Sequence, residues 1–317
     1  MKKIRIVHLP FYLLVFLFLT GCKENSITRL VVDVNGTGDY KTVQAAIDAV
    51  EESDAVTEIY IKTGVYKEKI VISEKKRNIH LLGENAENTI ITWDDYSGKD
   101  TINTFTSYTL KIVGNDIKVE NLTIENSEGL RGQAVSLYVE GDRCLFVNCR
   151  IVGNQDTLYA AGKKCRQHYK NCLIEGTTDF IFGSATALFE NCNILCKKNS
   201  YITAASTPEE CEFGYVFLNC NIEAAEGIDK VFLGRPWRDY AKVVYINCRM
   251  GDFIRSEGWH NWSKPEREKT AFYAEYNNTG LGAEIAGRVS WSKQLTAEQA
   301  VKYTPVNILR FDEWTFH

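Results

Sequence analysis

Short runs of alternating apolar and polar residues, separated by turn formers, fill the first half of the chain at residues 58–62, 70–72, 79–82, 89–92, 110–113 and 117–119. Runs of this length and spacing predict strands. Further on the pattern becomes a repeat, aromatic-x-Asn-Cys-x-Ile/Met, at residues 146–151, 169–174, 189–194, 217–222 and 245–250. An earlier copy, Asn121-Leu122-Thr123-Ile124, carries Leu in the Cys place. Successive Asn residues stand 27, 23, 20, 28 and 28 positions apart, which suits one coil of a parallel β-solenoid with loops of variable length.

Within each copy Asn tolerates the left-handed conformation that a corner needs, and Cys shares an inward strand face with the Ile or Met two places on. The aromatic closes the preceding strand. Stacked copies then form columns of Asn, Cys and Ile, with neighbouring strands about 4.8 Å apart. These features predict an all-β fold, a right-handed parallel β-helix. Thr42 reads as the N-cap of a short helix over 43–50, whose apolar stripe Val43, Ala46, Ile47 and Val50 would close the open end of the solenoid. The repeat stops after Met250, and a tail follows that carries a capping box, Thr296 with Gln299, for a helix running to about residue 303. This tail is expected to pack along the solenoid's side.

Residues 1–22 stand apart. Lys2, Lys3 and Arg5 precede an apolar run over 9–19, too short to span a bilayer as a mature helix, so the segment reads as a secretory signal. Its end, Leu19-Thr20-Gly21-Cys22, resembles a bacterial lipobox. Cys22 would then be the lipidated first residue of a mature chain, with residues 23–317 as one β-helix domain. The expected localisation is the bacterial cell envelope, at the outer membrane, with membrane contact only through the lipid. Ordinary cleavage near Gly21 and a soluble periplasmic protein is the alternative.

Ten cysteines in an exported chain would ordinarily suggest disulfides. Five of them, Cys149, Cys172, Cys192, Cys220 and Cys248, hold one place in the repeat and are expected to be buried small hydrophobes. Cys144, Cys165, Cys196 and Cys211 are left as pairing partners. A zinc site is the weaker reading, since their spacings lack a paired Cys-x-x-Cys. Without the signal, 34 basic residues face 41 acidic ones, a net charge of −7, which argues against a nucleic-acid partner.

Outside the repeats, Gln133, Gln155-Asp156 and Asp179 recur at steps of 22 and 23 residues, close to one coil each. That period puts two carboxylates and two amides side by side on one outer face, where they can converge on a small group. Each Asp also has a plain reading as a turn former. Asp179 precedes Phe180-Ile181-Phe182, apolar walls that raise a carboxyl's pKa or demand a cation. Arg235, in Leu233-Gly234-Arg235-Pro236-Trp237, can supply a bidentate fork, and Trp237 a flat surface for a sugar. There is no Gly-x-Ser-x-Gly elbow, and His80, His168 and His260 are widely spaced, so a Ser-His-Asp mechanism has little support.

Several segments in order resemble the pectin methylesterase family: Gly36-Thr-Gly-Asp-Tyr-Lys-Thr-Val-Gln-Ala-Ala-Ile47, Gln133-Ala-Val-Ser-Leu137, Gln155-Asp-Thr-Leu-Tyr159, Asp179-Phe-Ile-Phe-Gly183, Ile202-Thr-Ala204, Leu233-Gly-Arg-Pro-Trp237, Gly258-Trp259 and Tyr273-Ala-Glu-Tyr-Asn-Asn-Thr-Gly280. The resemblance implies a parallel β-helix that hydrolyses the C6 methyl ester of galacturonate in pectin, without metal or other cofactor. It assigns Asp179 as nucleophile, Asp156 as general acid and then base, and Gln155 with Gln133 as oxyanion donors. Arg235 would hold Asp179 ionised and its pKa low, while burial raises that of Asp156. Trp237, Tyr159 and Phe180 would contact substrate, which is methylesterified pectin or its oligogalacturonides. A monomer is expected. Asn154 stands where the family often has an aromatic, and Ala160-Ala161-Gly162 makes the next loop small. The alternative is a related lipoprotein hydrolase acting on other esters or thioesters. A lyase would want a carboxylate cluster for Ca²⁺ that these motifs do not supply.

Overall fold

The computed structural model describes residues 27–128, 130–311 and 314–316. Cys22 and residues 1–22, read from the sequence as a signal, lie outside the described residues. Three parallel sheets, of eleven, seven and eight strands, wrap one core. One coil contributes a strand to each sheet in turn. From Cys144–Val147 the chain turns a corner into Arg150–Val152, crosses a loop into Leu158–Ala160, and starts the next coil at Arg166–Lys170. This is the parallel β-helix that the repeat predicts.

The corner is made by the Asn of the repeat. Asn121, Asn148, Asn171, Asn191, Asn219 and Asn247 all adopt φ between 52° and 55°, the left-handed region that Asn enters at little cost. Side-chain amides link them along the corner, Asn148 to Asn121 at 3.3 Å and Asn171 to Asn148 at 3.4 Å. The aromatic three residues before the Cys is turned inward. Phe146, Tyr169, Phe189, Phe217 and Tyr245 stack face to face with centroids 4.3 to 4.9 Å apart.

Each repeat Cys is buried, and its thiol has a partner. Cys172 donates to the carbonyl of Phe146, Cys192 to Tyr169, Cys220 to Phe189 and Cys248 to Phe217, at 3.3 to 3.5 Å. The aromatic and the Cys of the repeat are therefore coupled between coils: one coil's aromatic carbonyl takes the next coil's thiol. Cys144, Cys165, Cys196 and Cys211 are free thiols as well, so the pairing considered for them is not formed.

The N-terminal helix α1 (Val43–Ala49) has Thr42 as its N-cap, with Val43, Ala46 and Ile47 buried, and it packs on the first strands of the solenoid. Its free N–H groups at Val43 and Gln44 also donate to the Glu68 carboxylate at 2.9 and 3.0 Å, a cap from 25 residues away in sequence. At the other end the solenoid continues one coil beyond the sequence repeat. Phe272–Tyr276 extends the eleven-stranded sheet, and Asn277, at φ 49°, donates to Asn247 Oδ1 at 2.8 Å. This coil is hidden in the sequence because the aromatic place is taken by Glu275. The buried Glu275 carboxylate is gripped by Arg288 at 2.8 and 3.1 Å and by Trp259 Nε1 at 3.2 Å.

The tail helix is shorter than expected, α2 (Ala297–Ala300), with the Thr296–Gln299 capping box in place. A second helix, α3 (Pro305–Leu309), follows. Ile308, Leu309 and Trp314 cover the outer face of the eleven-stranded sheet over Leu188, Val216 and Val244. The tail thus lies along the solenoid's side, away from the seven-stranded sheet. His168 is buried beneath it, beside Phe311 and 3.0 Å from Glu190.

Candidate active site

The loops that enter the seven-stranded sheet carry the chemistry. Asp156 lies two residues before Leu158 and Asp179 two before Ile181, and these two strand residues are paired neighbours on adjacent coils. Both aspartates are left-handed, at φ 64° and 49°, a conformation rare outside Gly, Asn and Asp. Their N–H groups are tied to the next coil, Asp156 to the Thr178 carbonyl at 3.1 Å and Asp179 to the Tyr201 carbonyl at 2.8 Å. The turn-forming reading of both aspartates therefore holds. The turn aims the carboxylate.

Arg235, on the strand Phe232–Pro236, reaches back to Asp179. Its Nε donates to Oδ1 at 3.0 Å and its Nη2 to Oδ2 at 2.6 Å, the paired geometry that orients a carboxylate most firmly. Gln133, Gln155, Asp156, Asp179, Phe182, Arg235, Trp237 and Trp262 line one cleft of about 340 Å³, with Thr104, Phe105 and Ala204 completing its wall. All five residues assigned to catalysis from sequence therefore converge on one cleft.

Burial sets the acidities. It lifts the Asp156 carboxyl well above the usual carboxylate range, the neighbouring Asp179 charge adds to this, and Arg235 offsets only part. Asp179 departs from expectation. Burial outweighs the Arg235 hydrogen bonds and charge, so its carboxyl also sits above its ordinary value. The two groups still differ in the useful sense, because Arg235 grips Asp179 alone and Asp156 carries the larger rise.

Aromatic rings continue the cleft along the outer face of the seven-stranded sheet. Tyr138, Tyr159, Phe182 and Trp237 follow one another at 4.8, 4.6 and 5.9 Å, and Phe105 meets Tyr159 at 5.2 Å. Tyr159 and Trp237, expected from the sequence to contact substrate, are thus on this outer face. Phe180 is not. It is fully buried in the solenoid core, against Gly176, where an added Cβ would come within 2.3 Å of the Phe180 Cβ. The cleft residue is Phe182, which strand alternation turns outward beside Ile181. The register of Leu158 with Ile181 and Tyr159 with Phe182 places it there. Asn154 turns away from the cleft and donates to the Glu128 carbonyl at 3.4 Å.

Fold and site together define a class, a parallel β-helix with paired carboxylates in an aromatic-floored cleft suited to acid–base chemistry. The pectinesterase family profile matches residues 29–312. Pectinesterase 31 of Arabidopsis thaliana is 40% identical over 86% of this chain and 90% of its own length. Several curated relatives are longer, and the chain spans 41–54% of their length. Among solved structures, pectin methylesterase from carrot superposes with a TM-score of 0.86 at 34% identity, covering 90% of this chain and 94% of that one. A pectin methylesterase in complex with a hexasaccharide gives 0.80 at 30% identity, covering 90% and 97%. The chain belongs to the pectinesterase family.

Proposed function

We propose that this protein hydrolyses the C6 methyl esters of galacturonate in pectin, releasing methanol. The observation that carries the reading is the pair Asp156 and Asp179 on adjacent coils, with Arg235 in a two-point grip on the second. An Asp179 oxygen attacks the ester carbonyl carbon, and the resulting oxyanion is held by amide N–H groups of Gln133 and Gln155. The intermediate collapses, the C–O bond to the methoxy group breaks, and Asp156 delivers its proton to the departing oxygen as methanol forms. The acyl-enzyme on Asp179 is then attacked by water, whose proton Asp156 takes, and Asp179 is freed. Family membership and the hexasaccharide-bound neighbour support pectin as the substrate.

Methanol release from highly methylated pectin by the full chain, beside Asp179→Ala, tests this. Release by the first and none by the second is expected. No release from the folded wild type, with turnover of small acyl esters instead, would move the substrate elsewhere.

The finer assignment is that Cys22 carries lipid and tethers a monomeric enzyme to the outer membrane, with residues 1–22 as signal and 23–317 as the working domain. The lipobox-like Leu19-Thr20-Gly21-Cys22 supports it. Labelled fatty acid entering the wild type and not Cys22→Ser is the expected result. Equal labelling of both would remove Cys22 as the lipidated residue, and no labelling of the wild type would remove the anchor.

A further inference from the structure

Arg235 is held by more than the carboxylate it grips. Its guanidinium carbon lies 3.8 Å from the centre of the Tyr201 ring and 3.6 Å from that of Trp262. Two rings this close to one carbon cannot share a face, so they cover its two sides. The guanidinium is left with its edge free, and that edge meets Asp179.

Both rings are themselves fixed. Tyr201 stacks on Phe232 at 5.2 Å with planes 10° apart, and the Tyr201 carbonyl accepts the Asp179 N–H. One residue therefore supports both partners of the Arg235–Asp179 pair, the cation through its ring and the carboxylate through its backbone. Trp262 stands in a strained turn, with Trp262 and Ser263 both left-handed at φ 61° and 54°. His260 Nδ1 accepts the Trp262 N–H at 3.0 Å and Asn261 Oδ1 accepts the Ser263 N–H at 2.8 Å. The His260 N–H donates to the Gly234 carbonyl at 3.1 Å, which ties the turn to the strand bearing Arg235. Bulky residues take this conformation only where surroundings impose it. What this turn achieves is a ring over Arg235.

We infer that Tyr201 and Trp262 are positioning residues of the reaction, a two-sided aromatic clamp that holds the plane of Arg235 in line with Asp179. The inference rests on the esterase reading and extends it to residues that need not touch the scissile ester. Tyr201 is the informative one, because Trp262 also lines the cleft and Tyr201 does not. An unclamped guanidinium rotates about its side-chain bonds, and the two-point grip becomes a one-point contact. Asp179 then loses the support that favours its ionised form.

The test is kinetic and spectroscopic, on the full chain. In Tyr201→Leu, kcat on methylated pectin should fall about tenfold, the scale of one desolvated cation–π contact, with KM within about twofold of wild type. The acid limb of the kcat/KM profile should move to higher pH, and Tyr201→Phe should restore both. An Arg235→Lys background should make Tyr201→Leu nearly silent, since the clamp then holds no fork. Unchanged kcat and acid limb in folded Tyr201→Leu, or equal damage from Phe and Leu, would overturn the inference. If Tyr201→Leu does not fold, the acid limb of Trp262→Leu decides in the same way. Titration of the Asp179 carboxyl by carbon NMR reads the clamp without turnover: a rise in Tyr201→Leu supports it and no change sinks it, even if wild type proves inactive on pectin and the esterase reading fails alone.

Discussion

Asp179 and Arg235 are 56 residues apart in the chain and two hydrogen bonds apart in space, 3.0 and 2.6 Å long. The distance is closed by the solenoid. Phe182 is paired with Ala204, and Ala204 with Arg235, so two coil steps bring the cation back over the carboxylate. Four predictions follow from how this pair and its surroundings are built.

The pH dependence of stability should reveal Asp156. Its folded pKa lies well above the ordinary value of 3.8, so its contribution to stability is complete below the unfolded carboxylate range and is lost as pH rises through the folded value. Asp156→Asn removes this titration. Chemical denaturation should find the variant increasingly more stable than wild type as pH is raised from about 4 to 8. A stability difference that does not change with pH would show that Asp156 is not raised.

Phe180 and Phe182, two residues apart, should differ in their effect on substrate binding. Phe180→Ala empties a core site and should cost about 3–5 kcal/mol of unfolding free energy. Phe182→Ala also removes a buried ring, packed on Tyr159 and Trp237, but it should in addition raise KM for pectin, which Phe180→Ala should not, because the Phe182 ring is part of the cleft. Melting curves and Michaelis kinetics on the two variants separate the roles.

Gly234, beside Arg235, has no room for a side chain. An added Cβ would lie 1.9 Å from Thr203 Oγ1 and 3.0 Å from the Thr203 carbonyl oxygen. Gly234→Ala must displace either Thr203 or its own strand, at a cost of about 1–3 kcal/mol, and should lower kcat by shifting Arg235. Gly234→Ala combined with Thr203→Ser, which keeps the hydroxyl, should remain impaired, whereas Thr203→Gly should recover part of the activity.

The repeat thiols should be inert and structural. Burial pushes Cys172 and Cys192 well above the ordinary thiol value, and Cys165, outside the repeat and half-buried, is pushed up to about 11. A thiol reagent at pH 8 should label these three slowly in native protein and fast after unfolding. Cys192→Ala should lose about 1–2 kcal/mol from the cavity and the missing donor to Tyr169.

Much of this molecule was legible in the sequence because its information is periodic. The aromatic-x-Asn-Cys-x-Ile word states a coil, and the Asn spacing states how the coils stack. The same period placed Gln133, Gln155, Asp156 and Asp179 on one face. These are properties of local conformation, since Asn and Asp accept a left-handed turn and strand alternation sends Ile inward. The hidden last coil escaped because Glu275, a charged residue in an aromatic place, needs Arg288 and Trp259 to be tolerated there, and no local pattern records that need.

What only the tertiary structure decided was which neighbours meet at right angles to the repeat. Phe180 or Phe182 in the cleft was a matter of where the loop ends and the strand begins. The acidity of Asp179 was a balance between burial and Arg235, and burial depends on every surrounding wall. The rings of Tyr201 and Trp262 on the two faces of Arg235 come from different coils and a strained turn. Chain chemistry determines the repeat, because each coil is shaped by its own residues; packing between coils determines the site, because charge, exclusion of water and orientation are set by groups far apart in sequence.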